Sequence, residues 1–239
     1  SDGVQALYDA LPDDGPVIIS PSATAEALTT IDGLESTDAD PGLFWRTAAS
    51  DSVQSVVIAA NLRDRGIERI SILYHQGSYG AGLADAVVTA FTALGGVSVE
   101  RHAFEENNEL SELIVAVGQE DTEEILFLSP SIDDVADFVD KVGASASLDG
   151  RGIFLADSAV DTTLFDDTTE STDVYPRIRG TRPRLPSAED SVFQIFEGEY
   201  IAEFDADPGQ SVFAAFTYDA AWLAFYGAAW SQFQEGAVT

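Results

Sequence analysis

The sequence contains no cysteine and no methionine. Without thiols there is no disulfide framework, no thiolate nucleophile and no zinc–thiolate site. Only His75 and His102 offer imidazole, and nothing in their spacing brings them together. Basic residues are scarce: 11 Lys+Arg stand against 42 Asp+Glu, a formal charge of 11 − 42 = −31, and Lys141 is the one lysine. Binding to nucleic-acid phosphates or to an anionic membrane surface rests on clustered Lys and Arg, which excludes nucleic acid as a default partner. No apolar run approaches the ~20 residues needed to cross a bilayer, and no charged-then-apolar leader opens the chain, so no direct membrane insertion is expected in this segment. The nucleophile elbow GxSxG, the metalloprotease HExxH and the SxxK pair are all missing. The chain is therefore not expected to be an enzyme, and nothing in it calls for a cofactor or a metal.

What is present is an ordinary globular composition under an acidic surface. Hydrophobic residues make up 45% and aromatics 10% of 239 residues, too apolar for disorder and enough for one or two domains with real cores. Asp38-Ala39-Asp40 and Asp205-Ala206-Asp207 invite a calcium reading, but neither continues into a loop with the Gly and closing Glu of an EF-hand. A solvated acidic surface, kept soluble where salt screens its self-repulsion, accounts for the carboxylates better.

Along the chain, short apolar runs alternate with helical patterns. A stripe of Val4, Leu7, Tyr8 and Leu11 precedes a strand at 16–20. Asp51 is expected to cap a helix whose apolar face is Val53, Val56, Val57 and Ala60. The strand 69–74 follows, then the Gly-rich loop Gly77-Ser78-Tyr79-Gly80-Ala81-Gly82 and a helix carrying Leu83, Val87, Ala90, Phe91 and Leu94. Strand 97–104, helix 109–117, strand 125–129, helix 133–142 and strand 152–156 continue the rhythm. Such alternation predicts an α/β chain of right-handed βαβ units with parallel sheets. From Asp161 to Pro186 the pattern lapses, and four of the ten arginines crowd into 177–184, which reads as a crossing between two bodies. Helices 188–204 and 212–233 are expected to close the chain.

Ligands of an open parallel sheet bind at the carboxyl ends of its strands. That rule selects the loops Ser20–Thr24, His75–Tyr79, Ser129–Ser131 and Asp157–Ser158. Ser22, Ala23 and Thr24 could hold a carboxylate through hydroxyls and backbone N–H groups, while helix capping is the competing and, from spacing alone, favoured account. The glycine order GxxGxG matches neither the dinucleotide fingerprint nor a P-loop, so a tight strand-to-helix turn explains it.

Several pieces in order resemble one family. ISPSATAEALT (19–29), FWRTAASDSVQ (44–54), ISILYHQGSYGAGLADA (70–86), EEILFLSPSIDDVADFV (123–139), GIFLADSA (152–159) and FTYDAAWLAFYGAAW (216–230) are similar to the type I periplasmic binding proteins, in particular the branched-chain amino-acid-binding proteins of ABC importers. The resemblance implies two Rossmann-like lobes joined by a hinge, residues 1–49 with 184–239 and residues 50–183, and a chain truncated at both ends relative to the family. It implies capture of a small molecule, an amino acid or related compound, outside the cytoplasm, periplasmic or extracellular, with a lipid anchor as one form of attachment. An ABC permease is the implied partner. A ligand-binding sensor or regulator domain of the same fold is the alternative. It further implies that Ser22, Ala23 and Thr24, joined by Ser1, hold the ligand's charged ends, and that Tyr79 closes over it. Two positions depart from the family pattern: the acid after the strand 152–156, Asp157, comes one residue early beside Ser158, and Ser131 stands where some members carry an aromatic.

Overall fold

The computed structural model describes residues 1–12, 15–33, 42–160, 164, 173–184, 189–211 and 213–235. The Asp38-Ala39-Asp40 motif, the expected helix starts at Ala188 and Val212, and both ends of the 161–186 lapse lie outside the described residues. In chain order the elements are α1 (Asp2–Ala10), β1 (Ile18–Ser20), β2 (Phe44–Arg46), α2 (Asp51–Asp64), β3 (Arg69–His75), α3 (Ser78–Ala93), β4 (Ser98–Phe104), α4 (Leu110–Gly118), β5 (Glu124–Leu128), α5 (Ile132–Gly143), β6 (Gly152–Leu155), β7 (Ile178–Gly180), α6 (Ser191–Phe204) and α7 (Ala214–Glu235). They fall into two compact units: a central one, Ser50–Arg182, and a terminal one made of Ser1–Ala49 and Pro183–Thr239.

The central unit is built on one parallel sheet in the order β4-β3-β5-β6-β7. Its inner strands β5 and β6 read as near-continuous apolar runs because both faces are covered, whereas β4 and β7 at the edges carry charged residues. Along β5, Ile125 and Phe127 enter the cluster of Phe104, Phe138 and Val139, while Leu126 and Leu128 join Ile58, Leu62 and Leu83 on the other face. On β6 the alternation repeats: Ile153 and Leu155 go to the first cluster and Phe154 to the second. Phe127 stacks on Phe138 at 4.2 Å and on Phe104 at 5.5 Å, the offset geometry that aromatic quadrupoles favour.

The apolar face and the cap expected for α2 both fail, and part of the arginine-rich stretch proves to be a strand. The valines assigned to the apolar face of α2 are at the surface: Val53 is 58% exposed, Val56 55% and Val57 50%. The buried face is Asp51, Ser55, Ile58, Ala59 and Leu62, so two polar residues lie on the inner stripe and the outer one carries valine. Ser50, not Asp51, is the cap; its side chain accepts from the Ser52 N–H. The arginine-rich stretch is also an element: Ile178–Gly180 forms β7, paired in parallel with β6 as Ile153↔Ile178 and Leu155↔Gly180. Arg177 reaches back to the Leu148 carbonyl at 2.7 Å.

In the terminal unit β1 and β2 pair in parallel, Ile18↔Phe44 to Ser20↔Arg46. Asp32 holds the start of β2 by accepting from the Leu43 and Phe44 N–H groups, and also from the Tyr8 hydroxyl at 2.6 Å. Burial opposes ionisation of Asp32, but these three donors outweigh it and keep its carboxyl below the usual range. A small core of Ala23, Ala25 and Leu28 lies beside Val4, Ile31 and Phe44. Phe196 of α6 meets Tyr218 of α7 at 4.9 Å, and the Thr47 hydroxyl donates to the Phe216 carbonyl. Trp45, Trp222 and Trp230, at 48%, 42% and 66% exposure, all belong to this unit. Asp205 and Asp207 serve the backbone: Asp205 ends α6 in the left-handed region, and Asp207 accepts from the Gly209 N–H. Among the described residues no acidic or imidazole cluster could hold a metal ion, and no helix is long and apolar enough to cross a membrane.

Candidate functional site

In the central sheet the chain runs from β3 to β4 on one side, then returns to β5 on the other. This reversal puts a topological switch point at the carboxyl ends of β3 and β5, the place where open α/β sheets take ligands. The loops after β3, β5 and β6 all end there.

After β3, Gly77 at φ 144° starts α3 in a region that favours glycine. Gly80 lies so close to the strand end that a Cβ would meet the His75 carbonyl oxygen at 2.2 Å. The tight-turn account of the Gly-rich loop is therefore right in mechanism, and the turn sets Tyr79 in the first helical turn at 8% exposure. Its hydroxyl donates to Asp157 Oδ1 at 2.7 Å and lies 3.5 Å from Ser158 Oγ. Burial first, and then the charge of Asp157, push the Tyr79 phenol well above its ordinary value of 10.0.

Asp157 follows β6 and is 3% exposed. Its Oδ1 receives a second donor, Gln54 Nε2, at 3.0 Å. Among the described residues nothing donates to Oδ2, and no Lys, Arg or His pairs with the carboxylate. Ser158 Oγ donates to the Ser129 carbonyl and so ties the end of β6 to the end of β5. Ser129 Oγ in turn accepts from the Ser131 N–H at 3.1 Å and donates to Asp134. Ser131 occupies the cap position of α5 but its side chain makes no capping bond. The structure thus gathers Tyr79, Asp157 and Ser158 in direct contact, with Ser131 joined to them through Ser129.

The terminal unit holds the other expected residues. Ser20 Oγ accepts from the Ser22 and Ala23 N–H groups, and Ser1 Oγ accepts from the Ala25 N–H at 3.2 Å. Arg46 grips the opposite edge of the same segment, donating through one nitrogen to the carbonyls of Ala23, Thr24 and Ala25 at 3.3, 3.1 and 3.0 Å. With its carbonyl held, Thr24 keeps an N–H and a hydroxyl that bond to no described group. The capping account fails here: the turn Glu26–Thr30 begins at Ala25 and has no side-chain cap. Ser1 and Ser20 fold the segment, Ser22 is exposed, and Thr24 is 4% exposed.

Gln54, Asp134 and Arg46 are functional candidates that sequence reasoning did not single out. For Gln54 a signal existed: it lies three residues after Asp51 and four before Ile58, on the stripe that α2 buries. Hydrophobicity alone drew attention to the valines on the other face.

A family model described as periplasmic binding protein matches residues 1–238. No curated protein matches the chain. Among solved structures, the solute binding protein of an ABC transporter from R. palustris, in complex with benzoate, superposes with a TM-score of 0.74 at 16% identity, over 94% of this chain and 58% of that one. A leucine binding protein from Thermotoga maritima gives 0.68 at 18% identity, over 93% and 59%. The branched-chain amino acid transporter substrate binding protein from Streptococcus pneumoniae, in complex with isoleucine, gives 0.67 at 17%, over 89% and 57%. The chain therefore spans about three fifths of the length of these structures. At these identities the likeness concerns the fold, which is the type I architecture of parallel α/β sheets. With the family model matched from the first residue to the last but one, the chain belongs to the periplasmic binding protein family, a family of extracytoplasmic solute-binding proteins rather than of enzymes.

Proposed function

We propose that this chain captures a small solute, an amino acid or a close relative, for an ABC importer whose permease is its partner, and that it acts outside the cytoplasm, free or lipid-anchored. The two compact units are read as the two lobes of the binding protein. The observation that carries the reading is Asp157: a buried carboxylate at a strand end, with one oxygen engaged by Tyr79 and Gln54 and the other without a donor among the described residues. Burying such a charge is costly unless a hydrogen-bonding cation meets it, which an α-ammonium group does. Thr24, whose N–H and hydroxyl bond to no described group, supplies the complementary donors for a carboxylate. Ser1, Ser22 and Ala23 shape that segment, and Ser131 and Ser158 line the acid's side. The three relatives above are consistent with this: leucine, isoleucine and benzoate all carry a carboxylate, and the first two add an ammonium.

Titration calorimetry with leucine and with benzoate tests it. Leucine should bind, and Asp157→Asn should weaken it at least tenfold while leaving benzoate unchanged. Benzoate binding without leucine binding would overturn the amino-acid reading.

A further inference from the structure

Gln54 Nε2 has two hydrogens and uses both: it donates to Asp157 Oδ1 at 3.0 Å and to Thr181 Oγ1 at 3.0 Å. Tyr79 donates to the same Asp157 oxygen at 2.7 Å. A carboxylate whose Oδ1 is held by two donors cannot spin about χ2, so its Oδ2 is aimed in one direction. Thr181 is itself held, its N–H donating to the Leu155 carbonyl one residue beyond β7. The central unit begins at Ser50 and ends at Arg182, so Gln54 sits one helical turn past the entry of the chain and Thr181 one residue before its exit.

We infer that Gln54 is a positioning residue: it orients the Asp157 carboxylate for a ligand's ammonium and fastens that carboxylate to the strand that leaves the unit. The inference rests on the amino-acid reading above and adds the part of the site that selects for an amine. Tyr79 alone would leave Oδ1 with a single donor and the carboxylate free to pivot. The Gln54 side chain arrives from a different element, α2, and closes the second direction.

The test compares Gln54→Ala, Gln54→Glu, Asp157→Asn and the double variant Gln54→Ala/Asp157→Asn by calorimetry with leucine and benzoate. Each is first checked for a parent-like melting temperature. Gln54→Ala should weaken leucine about 5- to 20-fold and leave benzoate within twofold, a split that a general loss of packing would not produce. The double variant should bind leucine no worse than Asp157→Asn, since the glutamine acts through the acid. Gln54→Glu has the same length but removes the amide donor and brings a carboxylate against Asp157, so it should not recover the leucine affinity lost in Gln54→Ala. If Asp157→Asn weakens leucine and Gln54→Ala does not, the positioning role is overturned while the proposed function stands. An equal loss of both probes in Gln54→Ala makes the residue structural and also overturns it. If leucine is not bound by the parent, or is bound equally by Asp157→Asn, the amino-acid reading falls and this inference falls with it.

Discussion

Thr24 and Tyr79 show how much a single position can disclose before a structure is seen. Both stand in stretches that resemble a family motif, and both lie at strand ends where a parallel sheet takes ligands. What spacing could not supply was the choice between capping and binding, which depends on where backbone N–H groups go. Only the capping half is answered for Thr24: the turn that follows, Glu26–Thr30, starts at Ala25 with no side-chain cap. Thr24→Ala should therefore cost ligand affinity without costing a cap: about 1–3 kcal/mol of binding, roughly 5- to 150-fold in Kd by calorimetry, with the melting temperature unchanged. Tyr79 carries a pH signature. Its folded pKa is raised by burial and by Asp157, whereas an unfolded tyrosine ionises near 10. The stability it contributes is fully present below about pH 10 and is lost as pH rises from there toward the folded pKa. Tyr79→Phe should accordingly flatten the alkaline fall of melting temperature above about pH 10, and an unaltered fall would place the ionising group elsewhere. Gln54 stayed hidden for a physical reason: a polar side chain on a buried stripe looks like a break in the hydrophobic pattern, not like part of a site.

Among elements, the strands were the more legible. β5 and β6 are covered on both faces, so 125–128 and 153–155 are unbroken apolar runs with one reading, and β3 interrupts its own run only at Ser71. Helix α2 misled because Val53, Val56 and Val57 form a helical stripe as regular as the true one, and because Asp51 and Ser55 interrupt the face that is buried. β7 was missed since a three-residue strand with an arginine at its centre can still be added at an edge, where part of it stays solvated. The β3–α3 junction gives the sharpest test at this scale. Placing a methyl 2.2 Å from the His75 carbonyl must push α3 away from the strand it starts against. Gly80→Ala should destabilise the protein by about 1–3 kcal/mol in urea titrations, whereas Gly82→Ala, with nothing within 4 Å of its Cβ, should be neutral or slightly stabilising. Equal midpoints for the two variants would contradict the close approach.

For the molecule as a whole, the charge of −31 governs the long-range electrostatics. With 11 Lys+Arg to share among 42 Asp+Glu, most carboxylates have no cation to pair with and repel one another through solvent. Screening shortens that repulsion from about 10 Å at 0.1 M salt to about 3 Å at 1 M, and the melting temperature should climb over that range of NaCl. A flat curve in a scanning calorimeter would mean that the charges are already compensated. How that experiment is followed matters, because the indole side chains are distributed unevenly. Trp45, Trp222 and Trp230 all sit in the terminal unit, each at least 42% exposed, and Ser50–Arg182 has none. Emission excited selectively at the indoles therefore reports the terminal unit, from rings already largely wetted in the folded state, and is blind to the sheet that carries Asp157. A fluorescence transition that fails to coincide with the loss of far-ultraviolet dichroism would show that the terminal unit unfolds separately from the central one. A tryptophan introduced at Phe91 or Tyr74 would give the central unit a voice of its own.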